Sequence, residues 1–280
     1  MEYHRLTILE IVYCNNSISI NETVMERFLK QLEILHNSLI CVSIVVCGDV
    51  NEPQRLCDFI SAIKRLKVAI SISFYGCKDF VLLDSIKTEV GQIRIKIETV
   101  NSDVVDLQRL FREYKTSSNN IVFLFEIDDI NSIKEYVALL KSNDFIYNIS
   151  YSSGISHNSY WILAKEVSEL KKQYPMKVFQ EFTCAGIRFD NIKGVCPARI
   201  SLMCVDASGN IKYCYKDKYN HGLSIFDDEM NVLFEKLVKS FRPCTILLCN
   251  DLEYGNCLGG CPLDMKGSNN LYCKYYRGVL

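Results

Sequence analysis

The sequence has no apolar run near the roughly 18 residues that would cross a bilayer, and no excess of charge of either sign. Its 32 Lys and Arg nearly balance 33 Asp and Glu, giving a formal net charge of -1. That balance excludes a broad basic surface for nucleic acid or an anionic membrane. Proline (5), histidine (4) and tryptophan (1) are scarce. The histidines, His4, His36, His157 and His221, have no mutual spacing that would make a metal site or a triad. Neither a glycine-rich phosphate loop nor a G-x-S-x-G elbow is present. The opening stretch MEYHRLTILE lacks the basic, apolar, small-residue order of a secretory signal. A cytoplasmic, reducing location is therefore expected, with no membrane or nucleic-acid partner.

Cysteine is abundant. There are 14, and they are unevenly placed. Cys14, Cys41, Cys47, Cys57 and Cys77 are scattered through the first half. After a long gap, nine more fall between Cys184 and Cys273. In a reducing compartment such a cluster points to metal binding or redox work rather than disulfides.

The first part alternates strand-like and helical runs. RLTILEIVYC, CVSIVVCGDV, VAISISFYG, IRIKIETV, NIVFLFEI and FIYNISYSS read as strands. Helical patterns lie between them. NETVMERFLKQLEILH has Asn21 as its N-cap and Met25, Phe28, Leu29 and Leu32 on one face. PQRLCDFISAIKRL carries Pro53 at its start. VLLDSIKTEV, SDVVDLQRLFREYK, NSIKEYVALLKS and NSYWILAKEVSELKKQY complete the set, with Ser102 able to cap the second of these. Strands that are nearly continuous in apolar residues suit a parallel sheet covered on both faces. Six strand–helix units are too few for an eight-stranded barrel, so an α/β fold with a partial, open (β/α)6 barrel is expected over residues 1–176. KKQYPMK, 171–177, reads as a linker.

Residues 177–280 read differently. RISLMCVDASGNIKYCYK is a hairpin turning at Ser208-Gly209-Asn210, SIFDDEMNVLFEKLVKSF a helix, and the remainder cysteine-rich loops. Loops with so little apolar content need bound metal for stability. From cysteine number alone, structural zinc and iron–sulfur clusters are equally open.

Two spacings narrow the choice. Cys196, Gly209 and Cys214 form C-x12-G-x4-C, and Cys244, Cys249, Cys257, Cys261 and Cys273 follow, with GNCLGGCPLD carrying a C-x3-C. This region, 184–273, resembles the SPASM domain, the C-terminal module of peptide-modifying radical SAM enzymes. NHGLSI, 220–225, is similar to the segment that follows its first motif. The resemblance implies two auxiliary 4Fe–4S clusters. Cys184, Cys196, Cys214 and Cys261 would hold the first, and Cys244, Cys249, Cys257 and Cys273 the second. Cys204 is left over, as a small core residue in an apolar strand. The family's C-x2-C-x5-C is here C-x4-C-x7-C, a departure at the second cluster.

The resemblance also implies a radical-SAM-like barrel ahead of this module. In that family the first strand runs into C-x3-C-x2-C, whose three thiolates hold the cluster that cleaves S-adenosylmethionine. Here the strand ends at Cys14, but the next two places are Ile18 and Asn21. Cys14 is the one remnant. The family's Gly-Gly-Glu-Pro turn is reduced to CGDVNEP, with Gly48, Glu52 and Pro53. No S-adenosylmethionine is expected to bind. Cys41, Cys47, Cys57 and Cys77 have no metal-like spacing and are read as core residues, although Cys47 and Cys77, each near a strand end, could approach each other. His221 is read as a solvated loop residue, with replacement of a thiolate as the other option. Asp227 and Asp228 suit a helix N-terminus, and Asp128 and Asp129 end a strand. Neither pair specifies a reaction.

The chain is thus expected to be a pseudo-radical-SAM SPASM protein with no radical chemistry of its own. Such a protein would be an accessory factor in maturing a ribosomally synthesised peptide, with the precursor peptide or a catalytic maturase as partner. The alternatives are a stand-alone iron–sulfur redox enzyme and a zinc-stapled binding module.

Overall fold

The structure is a computed structural model. It describes residues 5–15, 18–75, 82, 85–86, 88–97, 121–127, 131, 133–134, 137–138, 141, 146–151, 157–180 and 201–240. The helix expected over 102–115 and the cysteine-rich segment from 241 onward lie outside the described residues. The chain divides into two compact units, Met1–Arg94 with Pro197–Arg242, and Ile95–Cys196 with Pro243–Leu280.

The first unit opens with β1 (Ile8–Asn15) and the short β2 (Ile18–Ser19). It continues through α1 (Glu22–Leu35), a single 3-10 turn, β3 (Cys41–Cys47), α2 (Pro53–Arg65) and β4 (Ala69–Tyr75), and the division between the units falls within β5 (Gln92–Ile97). β1, β3 and β4 pair in parallel, as strand–helix–strand crossovers require. β3 is buried along its central five residues, because its sequence CVSIVVC is apolar on both faces.

Two helices cover one face of this sheet. Asn21 caps α1, its Oδ1 accepting from the Val24 N–H at 2.8 Å, and Pro53 opens α2. Phe28 of α1 and Phe59 of α2 meet at 5.8 Å between ring centroids, and Phe59 also packs on Tyr13 of β1 at 6.0 Å. The buried side of α1 is Val24, Phe28, Gln31, Leu32 and Leu35. It is rotated from the expected Met25–Phe28–Leu29–Leu32 face, and Met25 and Leu29 sit half-buried at its border. Gln31 accounts for the rotation. Its Nε2 donates to the Asp228 carbonyl at 3.1 Å and its Oε1 accepts from the Met230 N–H at 3.2 Å. A glutamine is thus buried because it satisfies backbone groups at the start of another helix.

The segment after 200 builds onto the same sheet. β9 (Leu202–Val205) pairs in parallel with β1, and β10 (Ile211–Lys212) pairs antiparallel with β9. The strand order of this unit is β10-β9-β1-β3-β4. The expected hairpin is present, and Gly209 supplies its turn with φ +88°. The last described helix of the chain, Met230–Ser240, starts six residues later than expected. Ser224 and Asp227 form a local turn instead, with the Ser224 N–H donating to Asp227 Oδ2 at 2.7 Å and the Asp227 N–H donating to the Ser224 carbonyl at 3.0 Å.

In the second unit, β6 (Ile121–Ile127), β7 (Ile146–Tyr151) and β8 (Val178–Gln180) pair in parallel order. The helix α3 (His157–Gln173) precedes β8. The stretch 171–177, read as a linker, is the end of α3 and a tight turn into β8. The helix after β9 and β10, Met230–Ser240, is α4. The fold is α/β with a mostly parallel sheet. Among the described residues, no helix is long and apolar enough to cross a membrane.

Candidate functional site

The family's cluster-binding loop would follow the end of β1. β1 turns back as an antiparallel pair with β2, with Cys14 opposite Ser19 and Asn15 opposite Ile18. The Ile20 N–H donates to the Tyr13 carbonyl at 2.7 Å. Cys14 is fully buried, its Sγ 3.6 Å from the Asp49 carbonyl. Asn21 is engaged as the α1 cap. These residues do not fit a three-thiolate cluster. One sulfur is buried, the second position is in a β-ladder, and the third is an amide already bonded. In CGDVNEP, Gly48 takes φ +92° and donates its N–H to the Tyr75 carbonyl at 2.7 Å, while Glu52 pairs with Arg55 at 3.1 Å.

The second region is the inner face of β9, β1, β3 and β4. The registers place Cys204, Glu10, Ser43 and Ser71 side by side across these four strands. All four are buried. Glu10 is the residue that sequence reasoning missed. Its one signal was a lone acid within the apolar strand ILEIV. Burial pushes its carboxyl up to about 7, opposed by hydrogen bonds from the Tyr215 N–H and Cys204 and by the charges of Arg94 and Lys216. The bond from the Tyr215 N–H to Glu10 Oε2 is 2.6 Å long. Cys204 is core, as expected, and burial holds its thiol well above the ordinary range, with Glu10 adding to the shift. Cys47 packs half-buried on Val12, Val45 and Cys204, beside Tyr75 and Tyr215. Those two rings meet at 5.0 Å, and Lys216 Nζ lies 5.6 Å from the Tyr215 centroid. Cys77 lies outside the described residues. On α2, burial raises the Cys57 thiol.

Glu10 reaches the turn that carries Cys214, one of the eight expected cluster ligands. The Asp217 N–H closes this turn onto the Cys214 carbonyl at 3.0 Å. Asp217 braces it from the other side. Its Oδ2 accepts from the Tyr213 N–H at 3.1 Å, and its Oδ1 accepts from the Tyr219 N–H at 3.0 Å. His221 Nε2 lies 2.7 Å from the same Asp217 Oδ2, with the ring edge-on to Tyr213 at 4.8 Å. The reading of His221 as a solvated loop residue is therefore corrected, since its side chain is only 6% exposed. Asp217 and Tyr213, four and eight residues earlier, are the partners that hold the ring.

Cys214 is partly exposed on a braced turn, which suits a thiolate ligand. Among the described residues, no three metal-ligating side chains converge. Cys184, Cys196, Cys244, Cys249, Cys257, Cys261 and Cys273 lie outside the described residues, as do His4, Asp128 and Asp129. Asp227 and Asp228 lie just before α4, where Asp228 Oδ2 pairs with Lys236 at 2.9 Å and that contact lowers its carboxyl.

No protein-family model matches the chain, and no curated protein matches it. Among solved structures, it is similar to SuiB of Streptococcus suis bound to S-adenosylmethionine, with a TM-score of 0.68 and 14% identity over 96% of this chain and 76% of that one. A second SuiB structure aligns over the same shares with a TM-score of 0.65 and 14% identity. At that identity the likeness carries the fold alone, and the α/β architecture with a mostly parallel sheet described above is the one shared with SuiB.

Proposed function

We propose that this chain is a SPASM-type iron–sulfur protein on a radical-SAM-like scaffold, and that it acts as an accessory factor in maturing a ribosomally synthesised peptide. In this reading residues 177–280 are the SPASM domain. Cys184, Cys196, Cys214 and Cys261 hold one 4Fe–4S cluster, and Cys244, Cys249, Cys257 and Cys273 hold the other. When bound, the clusters supply one-electron exchange with a catalytic maturase. The chain's own residues supply a surface for the precursor peptide.

The observation that carries the non-radical part of the reading is Asn21. It stands at the third position of the family's cluster motif, and its side chain caps α1 at 2.8 Å. The fold likeness to a protein seen with S-adenosylmethionine bound makes the test specific. The anaerobically purified chain, with a strong reductant and S-adenosylmethionine, is expected to produce no 5′-deoxyadenosine above a no-protein control. Turnover of the cofactor by the chain alone would overturn the accessory reading.

A further inference from the structure

We propose that Glu10 is a positioning residue for the Cys214 ligand turn, fixing that turn to the inner face of β1 through the Tyr215 amide. The inference rests on the reading of Cys214 as a metal ligand.

Three observations lead to it. Glu10 lies in the middle of β1, in the row Cys204–Glu10–Ser43 set by the strand registers, so the ladder fixes its backbone on both sides. A carboxyl fully inside a sheet is costly unless it meets donors. Here the donors are the Cys204 thiol and the Tyr215 N–H, the latter at 2.6 Å. That second donor is the amide next to Cys214. Asp217 holds the other flank through the Tyr213 N–H at 3.1 Å. The residues on both sides of the cysteine therefore have their amides pinned by buried carboxyls, one from the sheet and one from the turn itself. A braced ligand turn keeps its sulfur where a metal needs it and loses little freedom on binding.

The contact needs an acceptor at the Glu10 side-chain terminus, not a charge. Glu10→Gln keeps a carbonyl oxygen there. Glu10→Met keeps the volume and removes the acceptor, and Glu10→Asp withdraws it by one methylene. The test uses the full chain, purified without oxygen, beside Cys214→Ser. Iron, zinc and the low-temperature EPR spectrum of the reduced protein are measured, with amide deuterium exchange on chelator-treated samples. In Glu10→Met and Glu10→Asp, Tyr215 amide exchange is expected to quicken by about tenfold or more. Metal content is expected to fall toward that of Cys214→Ser, and Glu10→Gln is expected to restore both.

The inference is overturned if Glu10→Met keeps wild-type metal content and EPR spectrum. It is also overturned if metal is lost while Tyr215 exchange is unchanged, since the loss would then have another route. If Cys214→Ser itself leaves metal content unchanged, the ligand reading fails, and this control identifies that failure separately from the behaviour of Glu10. Should Glu10→Met not fold, the Glu10→Asp and Glu10→Gln pair gives the same comparison.

Discussion

Glu10 Oε2 lies 2.6 Å from the backbone nitrogen of Tyr215, across 205 positions of sequence. This contact joins the first strand of the sheet to the turn on which Cys214 sits. It also puts an acid at the centre of a parallel sheet, where burial raises its carboxyl to about 7.

That shift makes stability depend on pH in one direction. Between its ordinary value of 4.5 and about 7, Glu10 holds a proton in the native state that the unfolded chain releases. Its contribution to stability is full below 4.5, and it is lost as pH rises through 7. Between pH 5 and pH 8 the loss is about 2 kcal/mol. Urea unfolding of the wild type and Glu10→Gln at these two pH values should show the difference. The wild type should weaken relative to the variant as pH rises, and parallel profiles would contradict the assignment.

Asn21→Ala should destabilise the fold by about 1 kcal/mol, because it removes the side-chain acceptor for the Val24 N–H. Asn21→Asp should be nearly neutral, since a carboxylate caps equally well and suits the helix N-terminus. Equal unfolding midpoints for the Ala variant and wild type would show that the cap contributes nothing.

Gln31→Met should cost about 2 kcal/mol despite its similar volume. It leaves the Asp228 carbonyl and the Met230 N–H without the bonds at 3.1 and 3.2 Å that Gln31 supplies. A variant as stable as wild type would mean that water or a neighbour takes over both groups.

Gly209→Ala should cost on the order of 1–3 kcal/mol. The turn needs φ +88°, and an added Cβ would lie 3.2 Å from both Val24 Cγ2 and Ile225 Cγ2. Thermal unfolding measures this directly, and an unchanged midpoint would show that the hairpin relaxes without penalty.

Gly209 also illustrates what could be read in advance. Its place in C-x12-G-x4-C and the polar residues around it announced a hairpin turn, and the backbone there is left-handed. The strands were legible because runs such as CVSIVVC are apolar without interruption, and the starts of α1 and α2 because Asn21 and Pro53 mark them chemically. Three features were not legible, for one shared reason. The buried faces of Gln31, Glu10 and His221 depend on partners roughly 200, 200 and 4 residues away, namely Asp228, Tyr215 and Asp217. A polar residue's burial is decided by its partner, which is distant in sequence for Gln31 and Glu10; for His221 the partner Asp217 is close by, but its role depends on how the turn folds. The pairing of β9 with β1 is hidden in the same way, because LMCV carries no mark of which strand it will join.

The proposed function rests on the cysteines between Cys184 and Cys273 holding two iron–sulfur clusters. The most direct measurement is iron, acid-labile sulfide and zinc content of the full chain purified without oxygen. Two four-iron cubanes would give about eight irons and about eight sulfides per chain. About two zincs with little iron would contradict the proposal and leave a zinc-stapled binding protein.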